Sequence, residues 1–202
     1  AKKKEYTHYE RMKTEDNISL YLTWADDIIY TSISGNTLYA PYQDRGLYIA
    51  FNTDPDDSEG TTSPPDGSSS IQELPFNADV VVKFDSDDWA NLANDPVADK
   101  WTTGKIFKWN GSEWNESTIE GLDINYGAMC IIGDGNDSLI TEIGVARGPQ
   151  GIGEDVSKMQ MKIYLAETTS DGEVMAAFPN NNETGNGITF TSYYQFDDLG
   201  HG

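Results

Sequence analysis

Apolar residues recur at every second position in five stretches of this chain. "ISLYLTW" places Ile18, Leu20, Leu22 and Trp24 on one face, and "GLYIAFNT" does the same with Leu47, Ile49 and Phe51. "ADVVVKF" gives Val80, Val82 and Phe84, with Asp79, Val81 and Lys83 opposite. "MQMKIYLA" gives Met159, Met161, Ile163 and Leu165 with Gln160 and Lys162 between them, and "ITFTSYYQF" gives Ile188, Phe190, Tyr194 and Phe196. A period of two is the mark of a half-buried strand. Further strands are expected near 27–33, 104–109, 128–132, 139–145 and 173–178. The best helical stretches, 3–13 and 88–94, are short. About ten strands separated by Gly, Pro, Asn and Asp predict a single antiparallel β-sandwich, jelly-roll-like, with long acidic loops. It spans 18–202 and follows an arm at 1–17. Leu47, Ile49, Phe51, Val80, Val82, Met161 and Ile163 are the expected core.

One hairpin can be read residue by residue. "IFKWNGSEW" has Asn110-Gly111 between two strand-like arms, which signals a two-residue type I′ turn. That turn pairs Trp109 with Ser112, Lys108 with Glu113, and Phe107 with Trp114. Phe107, Trp109 and Trp114 then share a face, and Lys108 and Glu113 form an ion pair on the other. The aromatic face is either core or a platform for the apolar face of a sugar ring.

Charge changes the picture of what this sandwich meets. Thirteen basic residues against 34 acidic ones give a net charge of −21, which excludes nucleic acid as a partner and favours cations or basic surfaces. Five of the basic residues, Lys2, Lys3, Lys4, Arg11 and Lys13, lie in the first 13 positions. With Tyr6 and Tyr9 they form either a solvated terminus or an arm that docks on another copy of the acidic body. No apolar run approaches the roughly 20 residues of a membrane span. A start at Ala1, a lone Cys130 and five Asn-X-Ser/Thr sequons, at Asn17, Asn110, Asn115, Asn136 and Asn182, fit a secreted or cell-surface protein. His8 and His201 lie near the two ends, so the body offers no histidine to a hydrolase triad. "GDGND" lacks the lysine of a nucleotide-binding loop. We expect no enzymatic activity.

"GLYIAFNTDPDD", "LPFNADVVVKFDSDDW", "GKIFKWNGSEW" and "ITEIGVARGPQGIG" follow one another in an order that resembles the sugar-binding β-sandwiches related to family 9 carbohydrate-binding modules and to DOMON-like domains. Asp54-Pro55, Ala78-Asp79, Trp109 to Trp114 and Glu142 to Gly153 carry the likeness. The Ile-Pro of the family's last element is replaced within Val145-Ala146-Arg147. The resemblance implies a secreted accessory module with structural calcium and no chemistry of its own.

Three acidic clusters are candidates for that calcium. They are Asp54, Asp56, Asp57 and Glu59; Asp85, Asp87 and Asp88; and Asp134 with Asp137. Like charges packed this closely repel unless a cation sits among them, and Ca²⁺ accepts irregular loops of oxygen ligands. None matches the twelve-residue helix–loop–helix signature.

Two functions are therefore expected. The first is a calcium-stabilised structural subunit that assembles into a surface filament or matrix through the basic arm. The second is a carbohydrate-binding module built on Trp109, Trp114 and Phe107.

Overall fold

The structure, a computed structural model, describes residues 10–13, 19–24, 28–34, 45–65, 70–85, 101–103, 105–118, 128–133, 140–147, 151–153, 156–168, 172–179, 183–197 and 199. Every regular element among them is a strand. Six form the first sheet: β1 (Glu10–Lys13), β2 (Ser19–Trp24), β3 (Ile28–Ser34), β7 (Trp101–Thr103), β10 (Ala128–Gly133) and β11 (Ile140–Ala146), in the order β1-β2-β3-β11-β10-β7. The second sheet contains β4 (Arg45–Asn52), β6 (Val80–Asp85), β8 (Lys105–Trp109), β9 (Trp114–Thr118), β12 (Met159–Glu167), β13 (Val174–Phe178) and β15 (Tyr194–Phe196). Its order is β13-β12-β4-β6-β8-β9, with β15 also on β12. All pairings within both sheets are antiparallel. Two short strands, β5 (Ile71–Glu73) and β14 (Ile188–Thr189), pair in parallel apart from them.

The alternation drives the packing. Leu47, Ile49, Phe51, Val80, Val82, Met161 and Ile163 all face one core, where they meet Leu22, Ile29, Ile143 and Val145 of the first sheet. That is the expected antiparallel β-sandwich. The other face of the second sheet is covered as well. Tyr48, Ala50, Val81, Phe107, Tyr164, Ala166 and Ala177 form a second core under Ile71, Leu74, Phe76, Ala78 and Phe190. The segment that follows the acidic loop is thus part of the sandwich, not a linker. Thr61 bridges Ala78, and the Leu74 amide donates to Thr62 at 2.7 Å. Gly60 permits this return: its φ is 94°, and a Cβ there would stand 2.8 Å from the Asn77 carbonyl oxygen.

Two elements differ from the pattern. Residues 3–13 read as helical, yet Glu10–Lys13 is a strand in register with β2, Glu10 opposite Leu22 and Lys13 opposite Ser19. A short isolated helix is marginal in water, whereas a sheet edge satisfies backbone groups at once. The other helical stretch, 88–94, lies outside the described residues. "ITFTSYYQF" is two strands, not one. Phe190 is buried in the second core, while Tyr194 and Phe196 pack against the first. The chain changes faces between them, at Thr191 and Ser192.

A buried ion pair fixes that crossing. Lys162 is fully buried; its ammonium donates to Glu183, to the Pro179 carbonyl at 2.9 Å and to Ser192 Oγ at 3.1 Å, and lies 4.5 Å from the centre of the Phe190 ring. Glu183 Oε1 accepts the Thr191 amide at 2.6 Å, the Thr191 hydroxyl at 2.8 Å and the Ser192 amide at 3.0 Å. Burial pushes the Lys162 pKa down. Burial alone would raise that of Glu183, but hydrogen bonds from Lys162 and Thr191 outweigh it and hold the carboxyl below its ordinary range.

Candidate functional site

β8 and β9 form the hairpin at one end of the second sheet, and its register differs from the one the turn signal predicts. Trp109 stands opposite Trp114, Lys108 opposite Asn115 and Phe107 opposite Glu116. The cause is the Asn110 side chain. Its Oδ1 accepts the Ser112 amide at 2.9 Å, the Ser112 hydroxyl at 3.0 Å and the Glu113 amide at 2.9 Å. The Asn110 amide donates to the Glu113 carbonyl at 3.1 Å, so the turn takes in Asn110 to Glu113, with Gly111 at φ 95°. The asparagine acts through its side chain rather than as a type I′ turn residue. Lys108 and Glu113 are therefore not cross-strand partners.

The register still leaves Phe107, Trp109 and Trp114 on one face, now joined by Lys105 and Glu116. The two indoles meet edge to face, with centroids 5.6 Å apart and planes at 66°. Both are half-buried. The Trp114 indole N–H donates to the Ser63 carbonyl at 3.0 Å, so the Ser-Pro-Pro end of the acidic loop fixes that ring. Phe107 is only 7% exposed and belongs to the second core, which restricts the accessible aromatic surface to the tryptophans. Beside them Lys105 Nζ lies 3.3 Å from Glu116 Oε1, both side chains half-exposed. The two-residue turn would set Glu116 directly opposite Lys105; in the observed register Lys105 stands opposite Thr118 and reaches Glu116 diagonally.

The acidic loop spreads its carboxylates. Asp56 accepts Lys158 at 2.6 Å, an interaction that raises the lysine's pKa. Asp57 accepts the Glu59 amide at 3.1 Å, and the Asp57 amide donates to the Asp54 carbonyl at 3.0 Å, closing a turn. Asp54, Asp56, Asp57 and Glu59 are all exposed. Asp54 and Asp56, with Thr53, Ile152, Val156 and Lys158, line an open cavity of about 350 Å³. Asp85 lies 3.2 Å from Lys83. Among the described residues no three His, Cys, Asp or Glu side chains gather as a metal cage. Asp87, Asp88, Asp134 and Asp137 lie outside the described residues. So do Lys2, Lys3, Lys4, Tyr6 and Tyr9, while Arg11 falls within β1.

Asp79, at the other end of the same loop, is better enclosed. Its Oδ2 accepts the Thr53 amide at 2.8 Å and the Thr53 hydroxyl at 3.3 Å. Burial pushes its pKa up, the Thr53 hydrogen bonds oppose this, and the neighbouring Asp54 charge adds to the rise. Its carbonyl accepts the Trp109 amide at 2.9 Å, which ties the acidic loop to the tryptophan hairpin.

These elements define an all-β sandwich with an aromatic hairpin on the face of one sheet. No protein-family model matches the chain, and no curated protein does. Among the solved structures similar to it are two of a family 9 carbohydrate-binding module from Caldicellulosiruptor kristjanssonii. The complex with cellotriose is 12% identical over 82% of this chain and 68% of that one, with a TM-score of 0.35. The complex with glucose is 11% identical over 93% of this chain and 86% of that one, with a TM-score of 0.36. No helix among the described residues is long and apolar enough to cross a membrane.

Proposed function

We propose that this chain is a non-catalytic, extracellular carbohydrate-binding module whose contact surface is the Trp109–Trp114 pair. The observation that carries the reading is the placement of two half-buried indoles on the face of a rigid hairpin, one of them held by Ser63. A fixed indole presents a large apolar surface at little entropic cost, which suits the C–H face of a pyranose. A titration with soluble glycans, followed by tryptophan fluorescence, tests it. Binding should quench or shift emission, and Trp109→Ala should abolish it without unfolding the protein. A glycan bound equally well by Trp109→Ala and Trp114→Ala variants would end the reading.

A second reading has an observation of its own. β1 is the end strand of its sheet, so one side of its backbone has no strand neighbour among the described residues. Such an edge can accept another chain. In this reading the basic arm, including Lys2, Lys3, Lys4 and Arg11, lies against the acidic body of a second copy, and Ca²⁺ bridges carboxylates that would otherwise repel. Glu10–Lys13 already pairs with β2 of its own chain, so Arg11 would meet the second copy from that edge while residues 1–9 make the reach. Sedimentation of the full chain and of one lacking residues 1–9, with and without calcium, decides it: equal assembly of both removes the arm from the account.

A further inference from the structure

We infer that Lys105 and Glu116 form the polar half of the tryptophan site and restrict it to neutral glycans presenting adjacent hydroxyls; this rests on the tryptophan surface being the binding face. Glu116 follows Trp114 by two residues on the same strand face, a step of about 7 Å. That is the scale of one sugar ring, so a pyranose lying on the indole brings its edge hydroxyls to the carboxylate. Phe107, directly opposite Glu116, fills the floor beneath. Glu116 Oε1 takes the Lys105 ammonium at 3.3 Å, and the carboxylate side chain is 44% exposed, open to a hydroxyl donor. A carboxylate has acceptor capacity for two hydroxyl donors at once, and a hydroxyl donating to an anion forms a stronger bond than one donating to a neutral group. Lys105 holds the carboxylate in place and can donate to the ring or hydroxyl oxygen beside it.

The same charges select against anionic sugars. A uronate or sulfate entering the site would meet Glu116 on a body of net charge −21, with the Lys105 ammonium already paired to that carboxylate. Neutral ligands also predict an affinity nearly independent of salt.

The experiment is affinity electrophoresis and calorimetry of the full chain against hydroxyethylcellulose, mannan, laminarin and polygalacturonate. Wild type, Trp109→Ala, Glu116→Ala and Lys105→Met are compared, each checked for an unchanged melting curve. At least one neutral polymer should bind and polygalacturonate should not. Glu116→Ala should weaken binding about tenfold or more, Lys105→Met less so, and added salt should change little. Normal binding by Glu116→Ala with loss in Trp109→Ala overturns this inference and leaves the tryptophan surface standing. Binding of polygalacturonate by wild type overturns the selection for neutral sugars. Binding to none of the four polymers, or binding that Trp109→Ala does not alter, removes the tryptophan reading and this one with it.

Discussion

Tyr48 and Tyr164 stack ring on ring, with centroids 4.7 Å apart and planes within 8° of parallel. They sit opposite each other on β4 and β12, at the centre of the second core. Lys83 Nζ lies 5.3 Å from the Tyr48 ring centre, and Phe190 leans on Tyr164 at 5.2 Å. The row continues to Lys162, so two lysines close a run of three aromatic rings across the sheet. Cations over ring faces and offset ring pairs each add to the area buried.

The stack depends on a small residue two places away. A Cβ on Gly46 would stand 2.7 Å from Tyr48 Cε2, inside van der Waals contact. Gly46→Ala should push the ring off Tyr164 and cost about 1–3 kcal/mol, as overpacking does. Tyr164→Ala, which empties the site, should cost about 3–5 kcal/mol. Urea denaturation with an unchanged m-value measures both. A Gly46→Ala protein as stable as wild type would show that Tyr48 has room to move.

The Lys162–Glu183 pair should behave as a unit. Lys162→Met strands a buried carboxylate and should cost about 3–5 kcal/mol, whereas Lys162→Met with Glu183→Gln should recover part of that loss. The pair also sets an acid response. The folded pKa of Glu183 is depressed, so the unfolded chain takes up the proton first, near 4.3. Its stabilisation is present above that value and is lost as pH falls through the folded pKa. Subtracting the Glu183→Gln stability curve from wild type isolates this loss among the other carboxylates. A flat difference on the acid side would mean the carboxyl gains nothing from its donors.

The first core was readable because each of its strands buries alternate side chains on one side. The second core was not. Ile71, Leu74 and Phe76 come from a segment too short and irregular to show a period, and Phe190, whose period placed it on one face with Tyr194 and Phe196, lies in the opposite core from them. One signal was present: Lys162 shares its strand face with Tyr164, and a large aromatic there means that face is not solvent. The hairpin shows a different limit. Its aromatic face survives a two-place error in register, because such a shift preserves the side-chain period of two. The ion pairs fare differently: Lys108–Glu113 is lost, whereas Lys105 and Glu116, direct partners in the two-residue register, meet diagonally in the observed one. That shift follows from one asparagine side chain taking three donors, a choice that residue pattern does not encode.

Asp79 should give a pH dependence of opposite sign. Its folded pKa is raised, so the folded state binds the proton more tightly than the unfolded chain, whose value is near 3.9. Its contribution is therefore complete below the unfolded pKa and is lost as pH rises through the folded one. Asp79→Asn can still accept the Thr53 amide and should abolish that loss, so its advantage over wild type should grow from about pH 4 toward neutrality. Asp54→Asn, which removes the neighbouring charge, should bring the Asp79 titration down in a carboxyl NMR experiment. An Asp79 titration at or below the unfolded value would reverse the sign and refute the argument.

Asn110 offers the most direct test of how the tryptophan site is built. Asn110→Ala removes the acceptor shared by Ser112 and Glu113 and returns their donors to water. Because the turn is exposed, the loss of stability should be modest, about 1 kcal/mol. Its effect on the indoles should be larger than that figure implies. The alternative two-residue register places Trp109 opposite Ser112 and Trp114 opposite Phe107, which separates the two rings. Two indoles in edge-to-face contact couple their electronic transitions, so wild type should show an exciton couplet in far-ultraviolet circular dichroism. Trp114→Phe should remove it and thereby assign it. Asn110→Ala should reduce the couplet and glycan affinity together while the melting curve moves little. A couplet of full strength in Asn110→Ala would mean that the Ser63 bond to Trp114 and the strand pairing position the rings by themselves.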